Sequence, residues 1–156
     1  MLKKPRQTKY FKYHKGRISY NFKSLSFSSS FLNSKRSRDI SLPAVLGGRD
    51  RPFALIALEP ARLTASQIAA AELAIKRKIL KEGTLVTRIF PHFPVTKKPL
   101  EVRMGKGKGS ISFFATRIRP GSFLFELSCS SPELAKIAFK VASSKLPFRT
   151  TMVQLS

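Results

Sequence analysis

The sequence has few of the residues that build disulfide frameworks and metal sites. It contains one cysteine, Cys129, two histidines and no tryptophan among its 156 residues. A single cysteine excludes an intramolecular disulfide and a cysteine-based metal cage, and it indicates a reducing interior. His14 and His92 lie far apart in the sequence, so a histidine-based metal site is not expected either. We therefore expect neither a metal nor another cofactor.

Acidic residues are also scarce. Asp and Glu total 8 against 30 Lys and Arg, which gives a formal net charge of +22. Self-repulsion at this charge opposes a compact state unless a polyanion neutralises it. Nucleic acid is the first candidate partner, and an anionic membrane surface is the second. No apolar run approaches the roughly 20 residues needed to span a bilayer.

Catalytic signatures are missing from the sequence. The few carboxylates are scattered, and no Ser-His-Asp, Cys-His or Walker-type spacing occurs. We therefore expect no catalytic residues and no enzymatic activity. An RNA-binding or tRNA-modifying protein is kept as one candidate function, with Glu101 beside Arg103 as its one carboxylate near a glycine-rich loop.

Composition divides the chain into three parts. Residues 1–23 form a basic, extended N-terminal arm, residues 24–51 an insertion or linker rich in Ser and Arg, and residues 52–156 a single α+β RNA-binding domain. Residues 1–38 contain eleven Lys or Arg and no Asp or Glu, with aromatic residues interleaved. This pattern suits phosphate contacts and base stacking. It equally describes a targeting peptide.

The pattern of residues 52–156 predicts two helices and six strands. Thr64 and Gln67 form a capping-box signature that opens a helix with Gly83 as its C-cap. Ser131-Pro132 opens a second helix, with Leu134, Ile137, Ala138, Val141 and Ala142 on its apolar face and Pro147 as its end. Strands are predicted at 53–58, 84–90, 100–104, 111–119, 122–127 and 149–155, the fourth and fifth forming a hairpin at Pro120-Gly121. The predicted fold class is α+β, with both helices packed on one face of a mostly antiparallel sheet.

One loop stands out as a candidate binding element. Between Pro99 and Gly109, three glycines alternate with Lys106 and Lys108 after Arg103. Glycine lets the backbone lie close to another surface, while the lysines and the arginine suit phosphate oxygens. The loop is therefore predicted to contact a polyanion.

Four blocks of residues resemble the universal large-subunit ribosomal protein family L-sixteen, with its archaeal and cytosolic eukaryotic relative L-ten-e. They are Thr8–Arg17, Arg62–Ile68, the stretch from Arg88 to Gly109 that ends in Arg-Met-Gly-Lys-Gly-Lys-Gly, and the segment from Pro120 to Pro147. The resemblance implies a hammerhead-type α+β fold. Relative to typical bacterial members, extra residues lie between Arg17 and Arg62.

The resemblance also implies a function. The chain is expected to be a structural constituent of the large ribosomal subunit, with large-subunit rRNA, A- and P-site tRNA and neighbouring ribosomal proteins as partners and no membrane. The implied rRNA-binding residues are Lys9, Lys12, His14, Lys15, Arg17, Arg62 and Arg88. The implied residues of the loop facing tRNA and the peptidyl-transferase centre are Lys97, Lys98, Arg103, Lys106 and Lys108. The expected location is a mitochondrial ribosome, with a plastid or the bacterial cytoplasm as alternatives.

Overall fold

The computed structural model describes residues 4–18, 52–80 and 82–155. These residues contain seven strands and two helices. The strands are β1 (Pro52–Ala57), β2 (Ala61–Thr64), β3 (Gly83–Thr87), β4 (Phe93–Lys97), β5 (Ser110–Ile118), β6 (Phe123–Cys129) and β7 (Thr150–Gln154). The helices are α1 (Ala65–Ile79) and α2 (Pro132–Ser143). The predicted insertion at 24–51 lies outside the described residues, so the three-part division stays a prediction.

The strands form two antiparallel sheets. The first has the order β3-β6-β1-β7 and the second the order β2-β5-β4, and every pairing is antiparallel. The two helices pack against each other, with α1 against β2, β3 and β5 and α2 against β6 and β7. The predicted α+β class is confirmed, although two sheets take the place of the single one expected.

The predicted hairpin at Pro120-Gly121 is wrong. The turn itself is present, because Ser122 N donates to Arg119 O at 3.1 Å and Gly121 has φ +80°. Gly121 N also donates to Ala57 O at 2.7 Å, which ties the turn to the end of β1. The turn therefore carries the chain from the second sheet into the first, where β6 pairs with β1 and β3 rather than with β5.

Helix α1 begins as its sequence predicts. Thr64 Oγ1 accepts from Gln67 N at 3.3 Å and Gln67 Oε1 accepts from Thr64 N at 3.0 Å, so the capping box is complete. The buried face consists of Ile68, Ala71, Ile75 and Ile79. The predicted C-cap at Gly83 is wrong, because the helix ends at Leu80, whose N–H donates to Lys76 O at 3.0 Å.

Gly83 belongs to strand β3. It pairs with Cys129 of β6, and a Cβ at this position would lie 2.5 Å from Ser128 O. Only glycine lets the two backbones approach this closely, because the obstructing atom is a carbonyl that cannot swing away. The glycine that sequence reasoning took for a helix end is therefore required for strand pairing.

Helix α2 has its predicted cap and part of its predicted buried face. Ala138 and Ala142 are buried as predicted, and Leu134 and Val141 are half-buried. Leu134 N donates to Ser131 Oγ at 3.5 Å, and Pro132 occupies the first turn. The buried residues are Ala135, Ala138, Phe139 and Ala142, whereas the predicted core residue Ile137 is 53% exposed. Close packing of α1 on α2 favours the alanine-rich side, because small side chains let the helix axes approach.

The region before the glycine-lysine loop, which is the loop between Pro99 and Gly109, also differs from its prediction. Residues 100–104 form no strand, and β4 lies at 93–97 instead, in a segment whose prolines argued against one. Pro94 is tolerated there because β4 is an edge strand with neighbours on one side only. Strand β2 was not predicted either.

The described residues include no helix with the length and apolarity needed to cross a membrane.

Candidate nucleic-acid interface

The second sheet presents one face to the N-terminal arm. Side chains alternate across a strand, and the register pairs Arg62 with Arg117, Thr64 with Ala115, and Val95 with Phe113. The residues that share this outer face are Arg62 and Thr64 of β2, Phe113, Ala115 and Arg117 of β5, and Phe93 and Val95 of β4. The opposite face contributes Leu63 and Ile118 to the hydrophobic core.

Two arginines on this face bind the arm through its backbone. Arg117 Nη2 donates to His14 O at 3.0 Å and to Lys15 O at 2.7 Å. Arg62 Nη2 donates to Lys15 O at 2.9 Å and to Gly16 O at 2.6 Å. Like charges directly opposite each other across two strands repel, and the shared carbonyl oxygens offset that repulsion. We call this arrangement the carbonyl clamp.

The clamp sets a steric requirement on the arm. Gly16 has φ +56°, a conformation that side-chain-bearing residues adopt at a cost. A Cβ there would also lie 3.2 Å from Arg117 Nη2. The glycine therefore lets the arm turn at the point where both guanidinium groups hold it.

Aromatic contacts support the clamp. The Tyr13 and Phe93 rings lie with centroids 5.7 Å apart, and Tyr10 meets Tyr13 edge-on at 5.9 Å. The Arg117 guanidinium lies 4.1 Å from the Phe93 ring centroid, in a cation–π arrangement. Arg117 is thus fixed by a ring on one side and by two carbonyls on the other.

The arm is also tied to the glycine-lysine loop. Lys12 Nζ donates to Lys108 O at 2.8 Å, and Lys108 Nζ donates to Tyr13 O. These two reciprocal contacts join segments about 95 residues apart in the sequence. The arm and the loop therefore form one surface.

The loop at 98–109 turns through three successive left-handed residues. Gly105, Lys106 and Gly107 have φ values of +94°, +52° and +83°, and Lys98 Nζ donates to Gly105 O across the loop. Apart from the glycine and its two chain neighbours, no atom of the described residues lies within 4 Å of a Cβ built at Gly105 or Gly107. The tip consequently projects into open space rather than packing on the protein.

Positive charge is concentrated on the joined surface. We define the arm–loop surface by its exposed cations, which are Lys9, Lys12, Lys15, Arg17, Arg103, Lys106 and Lys108. The three ion pairs of the described residues lie elsewhere and join Glu72 to Lys76, Glu126 to Arg88 and Glu59 to Arg149. Glu101 lies exposed in the same loop, but none of the seven cations forms an ion pair with a carboxylate of the described residues. A polyanion would supply the missing negative charge.

The sequence profile of a family described as "Ribosomal protein L16p/L10e" matches residues 3–153. This chain belongs to the ribosomal protein L16p/L10e family. It is 45% identical over 152 residues to the large ribosomal subunit protein uL16 of Rhizorhabdus wittichii, which covers 96% of this chain and 90% of the relative. The uL16 protein of Blochmanniella pennsylvanica is 41% identical over 153 residues, covering 98% of both chains.

A third relative supports the same assignment. The uL16 protein of Chelativorans sp. is 46% identical over 114 residues, which is 71% of this chain and 83% of the relative. All three relatives are bacterial and are named as ribosomal subunit proteins. Membership of the L16p/L10e family confirms the expectation that the chain is structural rather than enzymatic.

Within this L16p/L10e protein, the structure separates Arg88 from the other predicted rRNA-binding residues. Arg88 Nη2 lies 2.7 Å from Glu126 Oε2, and the two side chains are 28% and 1% exposed. Glu126 extends from the central part of the first sheet, where β6 pairs with both β1 and β3. Arg88 therefore compensates a buried carboxylate, and its predicted contact with rRNA stays a prediction.

The other predicted residues divide into two groups. Lys9, Lys12, His14, Lys15 and Arg17 lie exposed on the arm, and Lys97, Arg103, Lys106 and Lys108 lie exposed on or beside the loop. Arg62 and Lys98 are partly buried, and their side chains bind backbone carbonyls. The structure thus brings the arm and loop residues together and gives Arg62 an anchoring role.

Sequence reasoning missed Arg117. Its position in β5, two residues after a small buried residue and in register with Arg62, is the signal that could have identified it. That signal requires the β2–β5 pairing, which the sequence did not predict.

Among the described residues, no group of three His, Cys, Asp or Glu side chains is arranged to hold a metal ion.

Proposed function

We propose that this chain is a structural component of the large ribosomal subunit and that its arm–loop surface binds large-subunit rRNA. The observation that carries the proposal is the joining of two cationic segments into one surface whose cations form no ion pair with the described residues. The relatives named above are large ribosomal subunit proteins. Neighbouring ribosomal proteins of the same subunit are the other expected partners.

We further propose that the loop at 98–109 faces A- and P-site tRNA near the peptidyl-transferase centre. Its positive-φ tip projects away from the protein, and it carries Arg103 and Lys106 without ion-pair partners among the described residues. A guanidinium fork and an ammonium point charge both suit phosphate oxygens. In this account the protein positions RNA, and the peptidyl-transferase chemistry belongs to the RNA.

The compartment stays a prediction. A mitochondrial ribosome is the location that we propose from the resemblance, with plastid and bacterial ribosomes as the alternatives. The three bacterial relatives fit the bacterial alternative. Sucrose-gradient fractionation of organelles and cytoplasm from the native source would assign the protein to one of these ribosomes.

Binding to an rRNA fragment is expected to depend steeply on salt. If the arm–loop surface contacts about six to ten phosphates, affinity should fall by roughly 10³ to 10⁵ between 50 and 200 mM monovalent salt, because condensed counterions are released. Filter-binding or fluorescence titration of the full chain across that range measures the slope. An affinity that does not change with salt would contradict the proposed function.

Separate loop variants should distinguish RNA contact from arm anchoring. Arg103→Ala combined with Lys106→Ala removes two exposed charges that hold no part of the fold, so we expect normal occupancy of the large subunit and slower peptide synthesis. Lys108→Ala also breaks the contact with Tyr13 O and is expected to lower occupancy. Peptide synthesis by purified ribosomes and occupancy by mass spectrometry provide the two measurements.

A matched control for the loop variant is Lys140→Ala combined with Lys145→Ala. It removes the same charge from exposed positions in and just beyond α2. Equal slowing of peptide synthesis in the control and the loop variant would show a general charge effect and contradict the loop's assigned role. A wild-type rate of peptide synthesis in particles that carry the loop variant would also contradict the loop's assigned role.

A further inference from the structure

A cleft of about 390 Å³ lies between the arm and the outer face of the second sheet. Its walls include Tyr13 and Lys15 of the arm, Arg62 of β2, Phe113 of β5 and Lys108 of the loop. The volume falls within the usual range for a small-molecule site, roughly 300 to 1,000 Å³. It suits one nucleotide and is too small for a nucleic-acid duplex.

The arm covers only part of the outer face. Ala115 and Phe93 on this face are 1% and 6% exposed, whereas Phe113, two residues before Ala115, is 43% exposed. The β4–β5 register shifts between Val95 and Thr96, beside the pairing of Val95 with Phe113. Such register shifts change the direction of nearby side chains and are common next to binding sites. Phe113 thus presents an aromatic surface that the described residues cover only in part.

The charges around the cleft have one sign. Lys15, Lys108 and Arg62 line it, and no Asp or Glu of the described part of the chain does. Arg62 and Lys108 already bind arm carbonyls, whereas the Lys15 ammonium makes no hydrogen bond or ion pair with the described residues. The cleft therefore combines an aromatic wall with a lysine whose ammonium has no partner among the described residues.

We propose that this cleft binds one unstacked nucleotide of rRNA, with its base against Phe113 and its phosphate at Lys15. Base-on-aromatic stacking is tolerant of sequence because every base has a π-face, and a lysine supplies the charge that a phosphate requires. A duplex cannot offer such a base, so the occupant comes from a loop, bulge or other single-stranded element. This inference rests on the proposed association with rRNA.

The test compares large subunits that carry the full-length wild-type protein, Phe113→Leu or Phe90→Leu. Phe90 is the matched control, since it is 37% exposed and does not line the cleft. Acylation of rRNA 2′-hydroxyls reports nucleotide mobility in each particle. We expect one nucleotide, or two neighbours, to become at least about fivefold more reactive in the Phe113→Leu particles only.

The outcomes separate this inference from the proposed function. Absence of the wild-type protein from large subunits would contradict the proposed function itself. Normal occupancy with identical rRNA reactivity in all three particles would overturn the nucleotide site alone. Ultraviolet crosslinking of wild-type subunits gives a second measurement that does not depend on a variant folding. A nucleotide adduct on residues 110–118 supports the site, and a crosslink from these residues to another protein, or no adduct, overturns it.

Discussion

Replacing Arg62 and Arg117 together with alanine is expected to release the N-terminal arm from the second sheet. The variant loses all four hydrogen bonds of the carbonyl clamp and the Arg117–Phe93 contact. Hydrogen bonds from charged donors contribute about 1.5–3 kcal/mol each, and partial exposure lowers this value. A net loss of about 3 kcal/mol would shift the arm's equilibrium towards release roughly a hundredfold.

Tryptic cleavage after Lys12 and Lys15 in the full chain measures that release. Cleavage follows the open population when opening and closing are fast, so its rate should rise by about two orders of magnitude. Arg119→Ala is the matched control, because Arg119 is exposed and its side chain makes no hydrogen bond with the described residues of the arm. Arg117→Lys keeps the charge and loses the fork, and an intermediate rate is expected. Unchanged cleavage in the double variant would mean that the clamp does not hold the arm.

Arg88→Ala is expected to reduce the free energy of unfolding by about 3 kcal/mol. The substitution leaves the 1%-exposed Glu126 carboxylate without its cation. Removing one partner of a buried ion pair typically costs about 3–5 kcal/mol, and the partial exposure of Arg88 places this case at the lower end. Urea denaturation of the full chain gives the value.

A second substitution tests the cause of that destabilisation. Adding Glu126→Gln to Arg88→Ala removes the uncompensated charge, so much of the lost stability should return. Arg149→Ala is the comparison, since its pair with Glu59 is exposed and 3.7 Å long, and a change below about 0.5 kcal/mol is expected. If Arg88→Ala weakens rRNA binding without lowering stability, then Arg88 acts as an RNA contact and the structural interpretation is wrong.

Local signals in the sequence were sufficient for the helix starts. The capping box at Thr64 and the Ser131-Pro132 pair act within one turn, so neighbouring residues determine them. The buried face of α2 was harder, because Ile137 and Phe139 both satisfy a helical period. Packing against α1 favours the alanine-rich side, and no pattern within α2 alone expresses that preference.

Strand pairing depends on contacts between distant residues. A turn at Pro120-Gly121 was correctly predicted, yet the strands it joins belong to different sheets. Residues 93–97 were not predicted as a strand, although an edge strand accepts proline at Pro94. The first error concerns which strand lies beside which, and the second concerns which strand lies at a sheet edge. Both depend on the whole fold rather than on a window of sequence.

The charged residues of the candidate site could be predicted from the sequence, whereas the contacts that join the arm to the loop could not. The arm and loop cations could be named from composition and resemblance. Their joining depends on arginine and lysine side chains that bind backbone carbonyls at residues 13–16 and 108. Every residue has a carbonyl, so the sequence gives no sign of which ones will be acceptors.

Directed hydroxyl-radical probing tests the central claim, that the arm and the loop form one surface against rRNA. Cys129 is buried, so an iron chelate can be attached selectively through Lys9→Cys or Lys106→Cys, with Lys145→Cys beyond α2 as the control. The account predicts that cleavages from positions 9 and 106 in assembled large subunits fall on the same or adjoining rRNA segments and differ from those of position 145. Cleavage of separate, distant segments from positions 9 and 106, or no rRNA cleavage from either, would contradict it.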